Sequence, residues 1–150
     1  MILMDRHVVL AFLILAVILF AGCTGTSVQK GTVAITSTIP AYSPEMSSTV
    51  GLDLIPRYSG PVSESLQYHW TTGYGSFVDW SRPYYRVIPL GNNTFTGDQT
   101  VYWTYLPETP GEEPARVVIM LSVEDPKTGN VLAKNETVLV RGDIGYRIGA

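Results

Sequence analysis

An internal disulfide is closed to this chain, because its 150 residues hold one cysteine, Cys23, and the same scarcity excludes a cysteine-built zinc site. Histidine is nearly as rare, with two in the chain. The sequence has no His-Glu-x-x-His spacing, no Asp-rich calcium loop and no Ser-His-acid spacing. It therefore points to no metal, no cofactor and no nucleophilic catalysis. His69, the one histidine beyond Cys23, falls beside Trp70 in a strand pattern and reads as structural. Charge is sparse too: 15% of residues are charged, and ten Lys+Arg against thirteen Asp+Glu give a formal net charge of −3. With no cluster of basic residues, a nucleic-acid partner is not expected. Long uninterrupted helical windows are also lacking from Thr32 onward, where Pro40, Pro44, Gly51, Pro56, Gly60 and their successors punctuate the chain. Helices need longer segments of 3.6-residue period, whereas strands need only about four to eight residues between turns, so the pattern is all-β.

What the chain does have is one apolar run, Val8 to Phe20, thirteen residues without a polar side chain. As a helix it would reach about 20 Å, short of the roughly 30 Å hydrocarbon core of a bilayer, which fits a secretory leader better than a membrane span. The run ends in Phe20, Ala21, Gly22 and Cys23, followed by Thr24, Gly25, Thr26 and Ser27. Small residues directly before a cysteine resemble the lipobox of prokaryotic lipoproteins. That resemblance implies a lipid on the Cys23 thiol and removal of residues 1–22 as a signal peptide, whose apolar run is helical. The alternative is a buried structural cysteine, since free cysteine is among the most buried residue types. Two acyl chains on one cysteine would meet the requirement for stable anchoring. The expected place is therefore the cell membrane, lipid-anchored at Cys23 and facing outside. Residues 23–31, small and polar, read as a flexible tether.

Strands follow from alternation. Val33 and Ile35 share a face, as do Leu52 and Leu54, then Tyr68 and Trp70, then Val101, Trp103 and Tyr105. Arg116 to Glu124 places Val117, Ile119, Leu121 and Val123 on one side, and Val131 to Val140 follows after the turn chemistry of Asp125-Pro126-Lys127-Thr128-Gly129-Asn130. Six or seven strands at this spacing predict a two-sheet sandwich over residues 32–141, because a single sheet would leave an apolar face wet. Residues 142–150 read as a C-terminal tail.

Tyr68-His69-Trp70, then Gly73-Tyr74-Gly75-Ser76-Phe77, resemble the third strand and following turn of immunoglobulin-like domains of bacterial and archaeal surface proteins, PKD-type ones included. Val117 to Asp125 and Thr128 to Ala133 resemble the last hairpin of that class. The resemblance implies an Ig-like sandwich of about seven strands, with Trp70 at its centre, and a role in surface binding or spacing.

Most of the aromatic residues crowd between Tyr68 and Tyr105. Part of this group serves a core. Trp80, Tyr84 and Tyr85, placed around a Ser-Arg-Pro loop, and Tyr74 are candidates for an exposed ligand-binding platform. Asn92-Asn93-Thr94 and Asn135-Glu136-Thr137 fit the N-glycosylation sequon at Asn92 and Asn135. The expected function is a lipid-anchored, non-enzymatic envelope module with a structural or protein-binding role. The alternative is a polysaccharide-binding module that uses the aromatics around Trp80.

Overall fold

A computed structural model describes residues 31–61, 65–81, 86–107 and 112–149, which leaves the leader, Cys23, Tyr84 and Tyr85 outside the described residues. The described residues form ten strands and no helix: β1 (Thr32–Thr36), β2 (Leu52–Ser59), β3 (Gln67–Thr72), β4 (Ser76–Ser81), β5 (Arg86–Gly91), β6 (Asn93–Thr96), β7 (Val101–Thr104), β8 (Arg116–Glu124), β9 (Val131–Gly142) and β10 (Gly145–Ile148). They assemble into two five-stranded antiparallel sheets, ordered β1-β2-β7-β4-β5 and β10-β9-β8-β3-β6. The chain is an all-β sandwich.

Period-two patterning explains the layers. In β8, Val117, Ile119, Leu121 and Val123 are buried while Arg116, Val118 and Met120 are exposed, so one face of the strand joins the core and the other meets water. β9 pairs along the whole of β8, from Arg116 opposite Val140 to Glu124 opposite Val131, and β3 flanks β8 on its other side. In β3 the same alternation buries Tyr68, Trp70 and Thr72. Facing them from the other sheet are Val33, Ile35, Leu52, Leu54, Phe77, Val101 and Trp103.

Buried rings bring polar atoms with them, and each finds a partner. Trp70 is fully buried and its Nε1 donates to Thr96 Oγ1 at 3.1 Å. Trp103 Nε1 donates to the Tyr74 carbonyl at 2.9 Å. Trp103, Tyr105 and Tyr146 pack mutually at centroid separations of 5.1 to 5.3 Å, and the Tyr146 hydroxyl donates to the Pro114 carbonyl. Burial pushes the Tyr146 phenol up to about 12, with Tyr74 and Tyr105 nearby adding to the shift. Burial, then the neighbouring Asp98 carboxylate, raises Tyr68 likewise to about 12.

Three strands were not legible in the alternation: β4, β6 and β10. Residues 142–150, expected as a tail, contain β10, which pairs Gly145 to Ile148 with Gly142 to Leu139 and buries Tyr146 completely. Tyr42 locks this hairpin to the β1–β2 connection by donating to and accepting from Tyr146 backbone groups, both at 2.8 Å. The close approach requires glycine at 145, where φ is +114° and an added Cβ would run into the Tyr42 carbonyl.

A buried acid supports the opposite sheet. Asp53 of β2 accepts from the hydroxyls of Ser37 and Thr38 and from the backbone N–H groups of Thr38, at 2.9 Å, and Ile39. Burial alone would raise its carboxyl. The four donors outweigh that effect and hold it below the ordinary carboxylate range.

Candidate functional site

The β4–β5 hairpin gives the core Phe77 and Val78 from β4 but no fully buried residue from β5. β4 pairs with β7 only from Ser76 opposite Thr104 to Val78 opposite Tyr102, but with β5 as far as Ser81 opposite Arg86. Beyond Val78 the two strands thus run on as a ribbon without β7 beside them. On β5, Val87 and Ile88 point to opposite faces and are still 45% and 43% exposed. β5 is also the edge of its sheet, and among the described residues no strand pairs with its outer side.

Trp80 stands in this ribbon. It was expected in a loop, but it lies within β4, cross-strand from Val87, because β4 continues through Ser81. Its ring is half-buried and meets Tyr102 edge-on at 5.6 Å and 79°. Tyr74 takes a different role: it sits in the β3–β4 turn with its ring against Trp103 and Tyr105, at 6.5 and 5.9 Å. Tyr74 nonetheless lines an open groove of about 840 Å³ whose walls include Val78, Val87, Tyr105 and the highly exposed Leu106. Trp80 and Tyr74 therefore do not make one flat platform. Tyr84 and Tyr85 fall within 82–85, the residues joining β4 to β5, outside the described residues, as does Cys23.

The two sequon asparagines differ in setting. Asn92 is exposed in the turn after Gly91, where φ is +84°. Asn135 is half-buried inside β9, opposite Leu121, with its Oδ1 accepting from the Thr137 hydroxyl at 2.8 Å.

On the outer face of the other sheet, His69 collects polar neighbours. Its ring stacks on Phe95 at 4.1 Å, its Nε2 lies 2.7 Å from Asn93 Oδ1 and its Nδ1 3.5 Å from Glu124 Oε1. The Ser122 hydroxyl donates to that same Glu124 oxygen at 2.6 Å. Serine, histidine and acid are all present, but the hydroxyl is bound to the carboxylate and not to the imidazole, so the proton relay of a nucleophilic serine is not made. Among the described residues no three histidine, cysteine or acidic side chains group as metal ligands, and no helix is long and apolar enough to cross a membrane.

Sequence reasoning missed Val87 and Ile88. Adjacent aliphatics alone give no signal of their exposure, since Val117 to Leu121 of β8 are consecutive aliphatics too and alternate ones are buried. No family model, no curated protein and no solved structure matches the chain.

Proposed function

We propose that this chain is a lipid-anchored, non-enzymatic module of a prokaryotic cell envelope that binds a protein partner through the β4–β5 ribbon. The observation that carries the binding role is the joint exposure of Val87 and Ile88 on both faces of an edge strand. Such an edge offers a partner unpaired backbone groups for strand addition as far as Pro89, which lacks an N–H, and aliphatic side chains for the pockets on either side. Trp80, half-buried beside Val87, supplies the aromatic anchor that interfaces favour. The anchoring role rests on the apolar run Val8 to Phe20 followed by Cys23.

The test uses the full lipidated chain. Detergent, and not high salt, should release it from membranes, and mass spectrometry should find the mature chain beginning at a diacylated Cys23. From detergent-solubilised envelopes it should retain a protein partner that the Ile88→Asp variant loses while melting within a few degrees of the parent. Equal retention by the variant contradicts the ribbon as the binding surface. The Trp80–Tyr102 pair favours a second reading, glycan stacking: polysaccharide binding abolished by Trp80→Ala with Ile88→Asp unaffected would select it.

A further inference from the structure

The outer face of the β10-β9-β8-β3-β6 sheet carries two arginines in one cross-strand row. Arg116 of β8 stands opposite Val140 of β9, and Val140 stands opposite Arg147 of β10. The neighbours Val117 and Tyr146 are buried, so period two sends both arginines to the solvent side, and both are exposed. Two strand spacings put their Cβ atoms about 10 Å apart, within reach of a common point above Val140 for side chains as long as arginine. Among the described residues neither guanidinium has a hydrogen-bond or ion-pair partner, whereas Arg141 is paired with Glu113 at 3.0 Å. Arg116 and Arg147 line a single depression of about 720 Å³ with Val138, Val140 and Glu136, which extends past Ile148 at the end of β10 to Ile35 of the facing sheet.

We propose that Arg116 and Arg147 form a clasp for one phosphate-type oxyanion. Two planar forks converging from either side match the paired oxygens of such a group, and an anion between them relieves the repulsion of two like charges held on one row. Val140, half-buried, gives the clasp an apolar floor that limits competing hydration. The other charges on the face set the size of the ligand. Glu136 lies four residues along β9 from Val140, about 13 Å away, and closes the depression on that side. His69, Glu124 and Lys134 stand farther still, and Asp143, in the β9–β10 turn, pairs with neither arginine. The clasp therefore takes a single phosphate group, ester-linked or free, and not a polyanion running along the strand.

The test is an NMR titration of the full chain in uncharged detergent, following the side-chain N–H signals of Arg116 and Arg147, first with inorganic phosphate and then with short-chain phosphatidylglycerol. Both signals should shift together and saturate, and Arg116→Gln and Arg147→Gln should each weaken binding roughly tenfold or more. Lys134→Gln, on the same face, should leave it within about twofold. Saturation by phosphate marks a free-anion site, and saturation by the lipid alone marks a headgroup site. No saturation by either, or equal weakening by Lys134→Gln, overturns the clasp.

Discussion

The β8–β9 hairpin and the β4–β5 hairpin are built alike, as antiparallel pairs, yet they divide the work of the molecule. β8 hides every second side chain, and its neighbours β3 and β9 cover both its edges. β5 hides almost none, with Arg86 through Pro89 all exposed, and it has a sheet neighbour on one side only. Aliphatic residues in the first hairpin hold the fold together. In the second, Val87 and Ile88 are exposed on both faces of one strand, whereas the exposed Val118 and Met120 of β8 share a single face, and the proposed binding role draws on that difference.

Mutations that break this contrast rank by burial. Leu121→Ala on β8, at 1% exposure, should cost about 2–5 kcal/mol by denaturant unfolding, a large part of the stability of a domain this size. Gly145→Ala should cost about 1–3 kcal/mol, because the positive φ and the Tyr42 carbonyl both oppose a Cβ, and it should loosen Tyr146 as read by its ring signals. Ile88→Ala on β5 should change stability by no more than about 0.5 kcal/mol. A large loss at Ile88 would show that the ribbon belongs to the core after all.

Asp53 gives the contrast a pH axis. Its folded carboxyl is held below the unfolded value of about 3.9, so its stabilisation is complete above that value and disappears as pH falls through the lower folded one. The melting temperature should therefore drop in acid more steeply for the parent than for Asp53→Asn. Asp125, also lowered through the Lys127 backbone N–H and other neighbours, contributes equally to both proteins and cancels in the difference. At the alkaline end the sign reverses. Tyr68 and Tyr146 are raised to about 12, so stability should fall as pH rises from about 10 toward 12, and spectrophotometric titration should show these phenols ionising only late or on unfolding.

The same two hairpins explain what the sequence could convey. Val117, Ile119, Leu121 and Val123 announced β8 because one buried face imprints its period on the residues, and Trp70 and Trp103 proved to be core rings for the same reason. β4, with Trp80, looked like a loop because its strand character comes from pairing with Val87 and Tyr102, which no local pattern reveals. β10 is four residues long and exists because β9 runs on to Gly142 and offers it an edge. Exposure at Val87 and Ile88 was the hardest to foresee, since it depends on where β7 stops. The arginine row was hidden as well, because Arg116 and Arg147 are far apart in the chain and meet only through the registers on either side of Val140.

The most direct test is photocrosslinking in intact envelopes, with the photoreactive residue at position 88 in one variant and at position 130, in the exposed β8–β9 turn, in another. A discrete protein adduct at 88 and none at 130, with both variants folded, is the result expected of a binding ribbon. Adducts of equal yield at both positions, or none at 88, would contradict it.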